Sequence, residues 1–159
     1  MNRLYRSGLA ALFSTAALSV TLAQNAPQTP QQQAEKAVKT RQGLFDVQAF
    51  AFGPVGAMLK GAPFDAALVQ KEAARIRTTA SMIPDVFQLD THQFPVTTQT
   101  REGVWTHKSD FEQKAQNLQA AAAELEAAAK TGDRGTTLKA AEAVGKACGN
   151  CHDDYREKH

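Results

Sequence analysis

Cys148-Gly149-Asn150-Cys151-His152, near the C-terminus, holds the only two cysteines of the 159-residue chain and one of its four histidines. Such a group can do three kinds of chemistry. A C-x-x-C pair can cycle between dithiol and disulfide, but redox pairs of this kind sit beside a βαβ pattern, and no stretch here alternates like a strand. The same residues could form part of a zinc site, but structural zinc takes about four ligands and there are no further cysteines. The third chemistry is c-type haem attachment, for which C-x-x-C-H is the motif. Each sulfur can form a thioether to one haem vinyl group while the imidazole ligates the iron. On a helix, Cys148, Cys151 and His152 fall at i, i+3 and i+4, so all three share one face. This predicts one covalent haem c per chain, with Cys148 and Cys151 as attachment points and His152 as metal ligand.

The elements that must position the motif follow from apolar periodicity. Thr137, Ala141, Val144, Cys148, Cys151 and Tyr155 recur at steps of four and three, with Asp133 where an N-cap is needed. The motif is therefore in phase with the buried stripe of the last helix. Phe111, Ala115, Leu118, Ala122, Leu125 and Ala129 mark the helix before it, which opens near Trp105 and is rich in alanine. Ala66, Val69, Ala73, Ile76, Ala80 and Ile83 mark another, capped by Asp65 and stopped by Pro84. The first helix carries Ala34, Val38, Arg41, Phe45, Gln48, Phe52, Val55 and Leu59, flanked by Ala37, Leu44, Ala51 and Met58. Arg41 and Gln48 are polar breaks in that face. Gly53-Pro54 predicts a kink near residues 50–54, and Gly61-Ala62-Pro63 ends the helix.

Between the second and third helices, Asp85 to Gly103 lacks periodicity. At about 19 residues it is longer than most connections, which marks a functional crossover or binding segment. Four amphipathic helices with short outer connections and a long middle one predict an all-α fold, an antiparallel up-down four-helix bundle. Haem on the last helix should lie between helices, facing the first and third.

The remaining chain sets the context. Arg3 and Arg6 precede an apolar stretch from Leu9 to Val20, and Thr21-Leu22-Ala23 ends in small residues, so residues 1–23 read as a secretory signal peptide cleaved after Ala23. The apolar run is too short, and too interrupted by Ser14, Thr15 and Ser19, to serve as a membrane anchor. Residues 24–33 read as a polar lead-in and residues 34–159 as the bundle domain. Without residues 1–23, Lys plus Arg equals Asp plus Glu at 16. That balance points to neither a nucleic-acid partner nor an anionic membrane surface.

Taken together, these residues resemble the class II c-type cytochromes, the cytochrome c′ family. The marks are the C-terminal Cys148-Gly-Asn-Cys151-His152-Asp-Asp-Tyr155-Arg156, Arg41-Gln42 early in helix one, Gly61-Ala-Pro63-Phe64-Asp65 after it, and Trp105 opening helix three. The resemblance covers about residues 35–158 and implies further roles. Arg41 and Gln42 fall where the family contacts the haem propionates, and an arginine there suits a carboxylate. Phe45 occupies the distal position, where low-spin relatives place a methionine that binds iron. Trp105 matches a tryptophan beside the haem, and also reads simply as a core anchor. Thr100 matches a polar haem contact in a stretch where this chain is shorter than its relatives. Arg156, at i+4 from His152, either borders the proximal pocket or complements the helix dipole. Export implies the periplasm.

Three functions compete. Phe45 cannot ligate, Met58 and Met82 lie far along helices one and two, and His92 and His107 lie in or beside the long connection. A five-coordinate haem behind an apolar wall would bind neutral diatomics, nitric oxide and carbon monoxide, and would disfavour dioxygen. The alternative is a dedicated electron-transfer cytochrome with low-spin, six-coordinate haem and a periplasmic donor or acceptor that the sequence does not name. An enzyme such as a peroxidase would need a distal acid–base group, which Phe45 does not provide. The resemblance also implies a homodimer through the first two helices.

Overall fold

The computed structural model describes residues 27–158. The expected signal peptide, residues 1–23, lies outside them. The long helices are α1 (Pro30–Leu59), α2 (Ala66–Ser81), α5 (Lys108–Lys130) and α6 (Arg134–Tyr155), with single-turn helices α3 (Ile83–Val86) and α4 (Gly103–Thr106) within the long connection. Among the described residues no strand forms. The one β-type contact is an isolated antiparallel bridge between Thr100 and Arg156. The fold is a four-helix bundle.

Local chemistry sets the ends of the helices. α1 begins at Pro30, inside the expected lead-in, because Thr29 builds a reciprocal cap. Its hydroxyl accepts from the Gln32 N–H at 3.2 Å, and Gln32 Oε1 accepts from the Thr29 N–H at 2.9 Å. The helix runs unbroken through Pro54. The carbonyl deprived of a partner there belongs to Phe50, which is 70% exposed, so water can satisfy it. Gly61, at φ +100°, turns the chain out of α1, and Gly132, at φ +74°, makes the α5–α6 turn. Asp65 and Asp133 cap α2 and α6 as expected, accepting from Leu68 N at 2.9 Å and Thr136 N at 2.7 Å.

The long helices close in a ring, α1 on α2, α2 on α5, α5 on α6 and α6 back on α1. The α2–α5 seam is the broadest, as small side chains allow: Ala73, Ala80, Ala115, Ala122 and Ala129 are all buried. The α6–α1 seam is the narrowest. All six apolar positions expected on α5 are buried. On α1 burial is shared between the two rows: Ala34, Val38, Arg41 and Val55 of the expected stripe are buried. The flanking residues Leu44, Ala51 and Met58 are buried, whereas Phe45, Phe52 and Leu59 are only half-buried. The Phe row lies on the side where α1 meets α6, since a Cβ added at Gly145 would meet Phe52 Cζ at 3.4 Å. That side of α1 is the less covered one.

Arg41 ties the long connection to the bundle. It is 2% exposed. Its Nε donates to the Val86 carbonyl at 2.9 Å, its Nη1 to the Thr91 hydroxyl at 2.7 Å, and its Nη2 to the Leu89 carbonyl. The guanidinium carbon lies 4.5 Å from the centre of the Phe87 ring and 5.3 Å from that of Trp105. Burial pulls its pKa down to about 10, against the raising effect of Asp90, so it stays charged at neutral pH. Arg41→Lys keeps the charge but cannot meet three divergent acceptors. It should cost about 2–4 kcal/mol. Amide exchange over residues 86–91 should accelerate more than elsewhere, and unchanged protection there would show that the segment holds itself in place.

Candidate functional site

α6 turns the Gly145 side of the motif helix toward α1, while Cys151 lies toward Lys114 and Asp110 of α5. Gly145, Cys148 and His152 fall at i, i+3 and i+7 on one side of the helix, and Gly145 is the residue that the Phe52 ring of α1 approaches. Cys148 and Cys151 are half-buried and pack against the core, and His152 is exposed. Burial raises both thiols, Cys151 to about 11. Raised thiols are the opposite of the low-pKa thiols of redox pairs. Burial, followed by the Arg156 charge, lowers the His152 pKa. The neutral imidazole, the form that ligates metal, is thereby favoured.

The end of α6 is held by a polar network. The Tyr155 hydroxyl donates to Asp110 Oδ2 at 2.6 Å, and its ring meets Phe111 edge-on at 5.3 Å. Lys114 pairs with Asp154 at 2.8 Å. Residues 99–101 then run alongside residues 155–157. Arg101 N–H donates to the Tyr155 carbonyl at 3.1 Å, and Glu157 N–H to the Gln99 carbonyl at 2.8 Å. Arg156 Nε donates to Gln99 Oε1 at 2.7 Å. Two expected site residues from distant parts of the chain, Thr100 and Arg156, thus lie side by side.

A second group gathers at the start of the bundle. Arg41, Phe45 and Trp105 converge on Phe87: the Phe45 and Trp105 rings lie 6.1 and 6.4 Å from it, and Trp105 Nε1 donates to its carbonyl at 3.1 Å. Gln42, next to Arg41, is exposed. The other candidate iron ligands are dispersed. Met58 is buried at 5% exposure, Met82 is 44% exposed at the end of α2, and His92 and His107 are at the surface. His92 Nδ1 is 2.6 Å from Asp90 Oδ1.

Sequence reasoning missed Phe87 and Thr91 as the partners of Arg41, and Asp110 as the partner of Tyr155. An aperiodic segment gives no face to read.

The residues present fit a haem. Among the described residues no three His, Cys, Asp or Glu side chains converge to hold a metal ion by themselves. The motif instead presents two attachment sulfurs and one imidazole along a single helical face. That face borders the narrowest seam of the ring, whose α1 wall carries the half-buried rings of Phe45 and Phe52 and a buried amide nitrogen of Gln48 without a partner. An all-helical bundle with C-x-x-C-H on its last helix defines a c-type cytochrome of the bundle class.

The comparisons with known proteins agree. The family model for cytochrome C' matches residues 36–156. The chain is 34% identical to a cytochrome c-554 of Cereibacter sphaeroides, over 94% of this chain and 95% of that one. It is 35% identical to a cytochrome c' of Rubrivivax gelatinosus, over 77% and 95%. Among solved structures, cytochrome c prime from Shewanella frigidimarina superposes with a TM-score of 0.73 at 33% identity, covering 79% of this chain and 97% of that one. The nitric oxide complex of a variant cytochrome c prime from Alcaligenes xylosoxidans does so with a TM-score of 0.69 at 33% identity, with the same coverage. The chain belongs to the cytochrome c′ family, whose members are haem proteins rather than enzymes and carry covalent haem c.

The Tyr155 bond can be tested by pH. Burial, then the Asp110 hydrogen bond, raises the Tyr155 pKa above its ordinary value of about 10. The stabilisation is therefore complete below about pH 10 and declines as pH rises further toward the folded-state value. Tyr155→Phe should cost about 1.5–3 kcal/mol at neutral pH, the worth of a bond to a charged acceptor. The gap from wild type in denaturant unfolding should narrow above pH 10, and a gap independent of pH would place the loss in packing.

Proposed function

We propose that the mature chain is a periplasmic cytochrome, exported by a signal peptide cleaved after Ala23, that binds nitric oxide and carbon monoxide at a five-coordinate haem and can exchange one electron. The haem supplies a redox-active iron with one coordination position for a small ligand. The side chains of this protein do the rest. Cys148 and Cys151 fix the cofactor by thioethers, and His152 is its only protein ligand. Phe45 covers the distal side and Trp105 borders it.

Arg41 has three of its five N–H groups committed to the 86–91 segment, leaving one on each Nη for a propionate. Gln42 stands exposed beside it, Thr100 contributes a polar contact, and Arg156 borders the proximal side.

The observation that most supports this reading is the composition of the α1 wall. It offers Phe45 and Phe52, while Met58 is turned into the core and Met82 and His92 lie at the surface. The purified protein should show intact mass for residues 24–159 plus one haem that acid-acetone cannot extract. It should also give a high-spin ferrous spectrum. A low-spin spectrum at neutral pH would refute five-coordination. Phe45→Ala should bind carbon monoxide faster, because no ring has to move. Equal association rates would show that access is set elsewhere.

A homodimer also belongs to this reading. Val47 and Phe50, three residues apart on the outer side of α1, are 50% and 70% exposed. A second copy placed on this patch by a two-fold axis would cover both. Phe50→Glu should turn a sedimenting dimer into a monomer, and a monomeric wild type at micromolar concentration would rule the dimer out.

A further inference from the structure

The apolar distal wall expected from Phe45 contains one polar group. Gln48 Nε2 is out of solvent and has no hydrogen-bond partner, the single such side-chain atom among the described residues. A buried amide left unpaired costs about 1–3 kcal/mol, and such groups in folded proteins call for an explanation. Leucine or methionine would fill the same place without that cost.

The position of Gln48 narrows what its partner can be. It lies three residues after Phe45 and four before Phe52, on the face between the two rings. Its neighbours at i±3 and i±4 on α1 are Leu44, Phe45, Ala51 and Phe52, none of which has a side-chain acceptor. Arg41 lies two turns away, about 10 Å along the helix, and a guanidinium only donates. Across the seam, the Phe52 ring meets Gly145 on the motif face of α6. The amide thus stands in the α1 wall between the rings, on the side where Phe52 meets α6, and α1 offers it no acceptor.

We propose that Gln48 is a distal hydrogen-bond donor. Its Nε2 donates to the outer atom of a small ligand bound between α1 and α6. This inference rests on the haem-binding reading above and extends it. The site takes ligands whose outer atom accepts a hydrogen bond, including small anions such as cyanide, besides neutral diatomics. Phe45 then controls entry, while Gln48 discriminates among what has entered.

The test uses the full haem-loaded protein, wild type against Gln48→Leu, with cyanide as probe for the ferric form and carbon monoxide for the ferrous form. Cyanide affinity should fall about ten- to a hundredfold in the variant, the worth of one hydrogen bond to a charged acceptor. The infrared C–O stretch of the carbon monoxide complex should move to higher frequency as the donor is lost. Unliganded Gln48→Leu should melt no lower than wild type, because it buries no unpaired amide. If Gln48→Leu fails to load haem, Gln48→Met, near in length and without the donor, carries the same comparison. A wild type that binds both probes, with equal cyanide affinity and an unmoved C–O stretch in the variant, overturns the donor role and leaves gas binding intact. A wild type that takes up neither probe overturns both.

Discussion

The long connection between α2 and α5 depends on one buried charge. Arg41 projects from α1 into residues 86–91 and donates to two backbone carbonyls and to the hydroxyl of buried Thr91. Phe87 and Trp105 stack against the guanidinium, and Phe87 in turn meets Phe111 at 4.9 Å. A single cation therefore joins α1, the connection and the start of α5. An aperiodic segment of this length has no repeating apolar face with which to dock. It is held by specific polar bonds at one end and by the bridge of Thr100 with Arg156 at the other. Both ends attach to helices that form the α1–α6 seam, so the segment that closes the bundle is anchored on the elements that would hold the haem.

The second constraint is rotational. Three side chains can serve one porphyrin only if α6 is turned to present them together, and the spacing of Cys148, Cys151 and His152 settles their relation to one another but not to the bundle. The rotation of α6 is set by Val144, Ala141 and Thr137 on the buried stripe and by Tyr155 at its end, all buried. The Asp110 and Lys114 contacts then hold the last turn to α5. Residues with no part in the chemistry fix the direction of the residues that have one.

Much of this was legible in the sequence, for identifiable reasons. The stripes of α5 and α6 were clear because each has one apolar row, and the caps at Asp65 and Asp133 because an N-cap is a local bond. α1 was ambiguous because it carries two adjacent rows, Leu44-Ala51-Met58 and Phe45-Phe52-Leu59. Periodicity alone cannot say which faces the interior. Phe45, Phe52 and Leu59 are the half-buried ones, since α1 packs more extensively on α2 than on α6. The start of α1 was missed because Thr29 and Gln32 cap reciprocally within a stretch whose composition reads as a frayed tail. Buried Glu72, at 3% exposure and bound to Arg75 at 2.8 Å, was invisible because its neutralising partner lies on its own helix and only packing decides that Glu72 is covered while Arg75 stays exposed. At the site, Cys148, Cys151 and His152 were readable because their chemistry fixes their spacing. The partners of Arg41 and Tyr155 were not, because those contacts join residues about 45 to 50 apart with no pattern to announce them.

The asymmetry of the bundle follows from the same residues. Alanine on the facing rows of α2 and α5 lets two helices meet along their length, with little side-chain entropy lost. Large rings on α1 facing a glycine on α6 do the opposite. Phe52 meets Gly145 there, and the α1–α6 seam is the narrowest of the four. One half of the ring is thus an alanine-packed wall, and the other is a narrower seam lined on α1 by half-buried aromatic side chains. A flat apolar cofactor attached to α6 would fill that seam and cover the Phe row. The apolar area still exposed along α1 is then stabilisation that only the haem-loaded protein gains, and bundle stability and haem retention are coupled through α1.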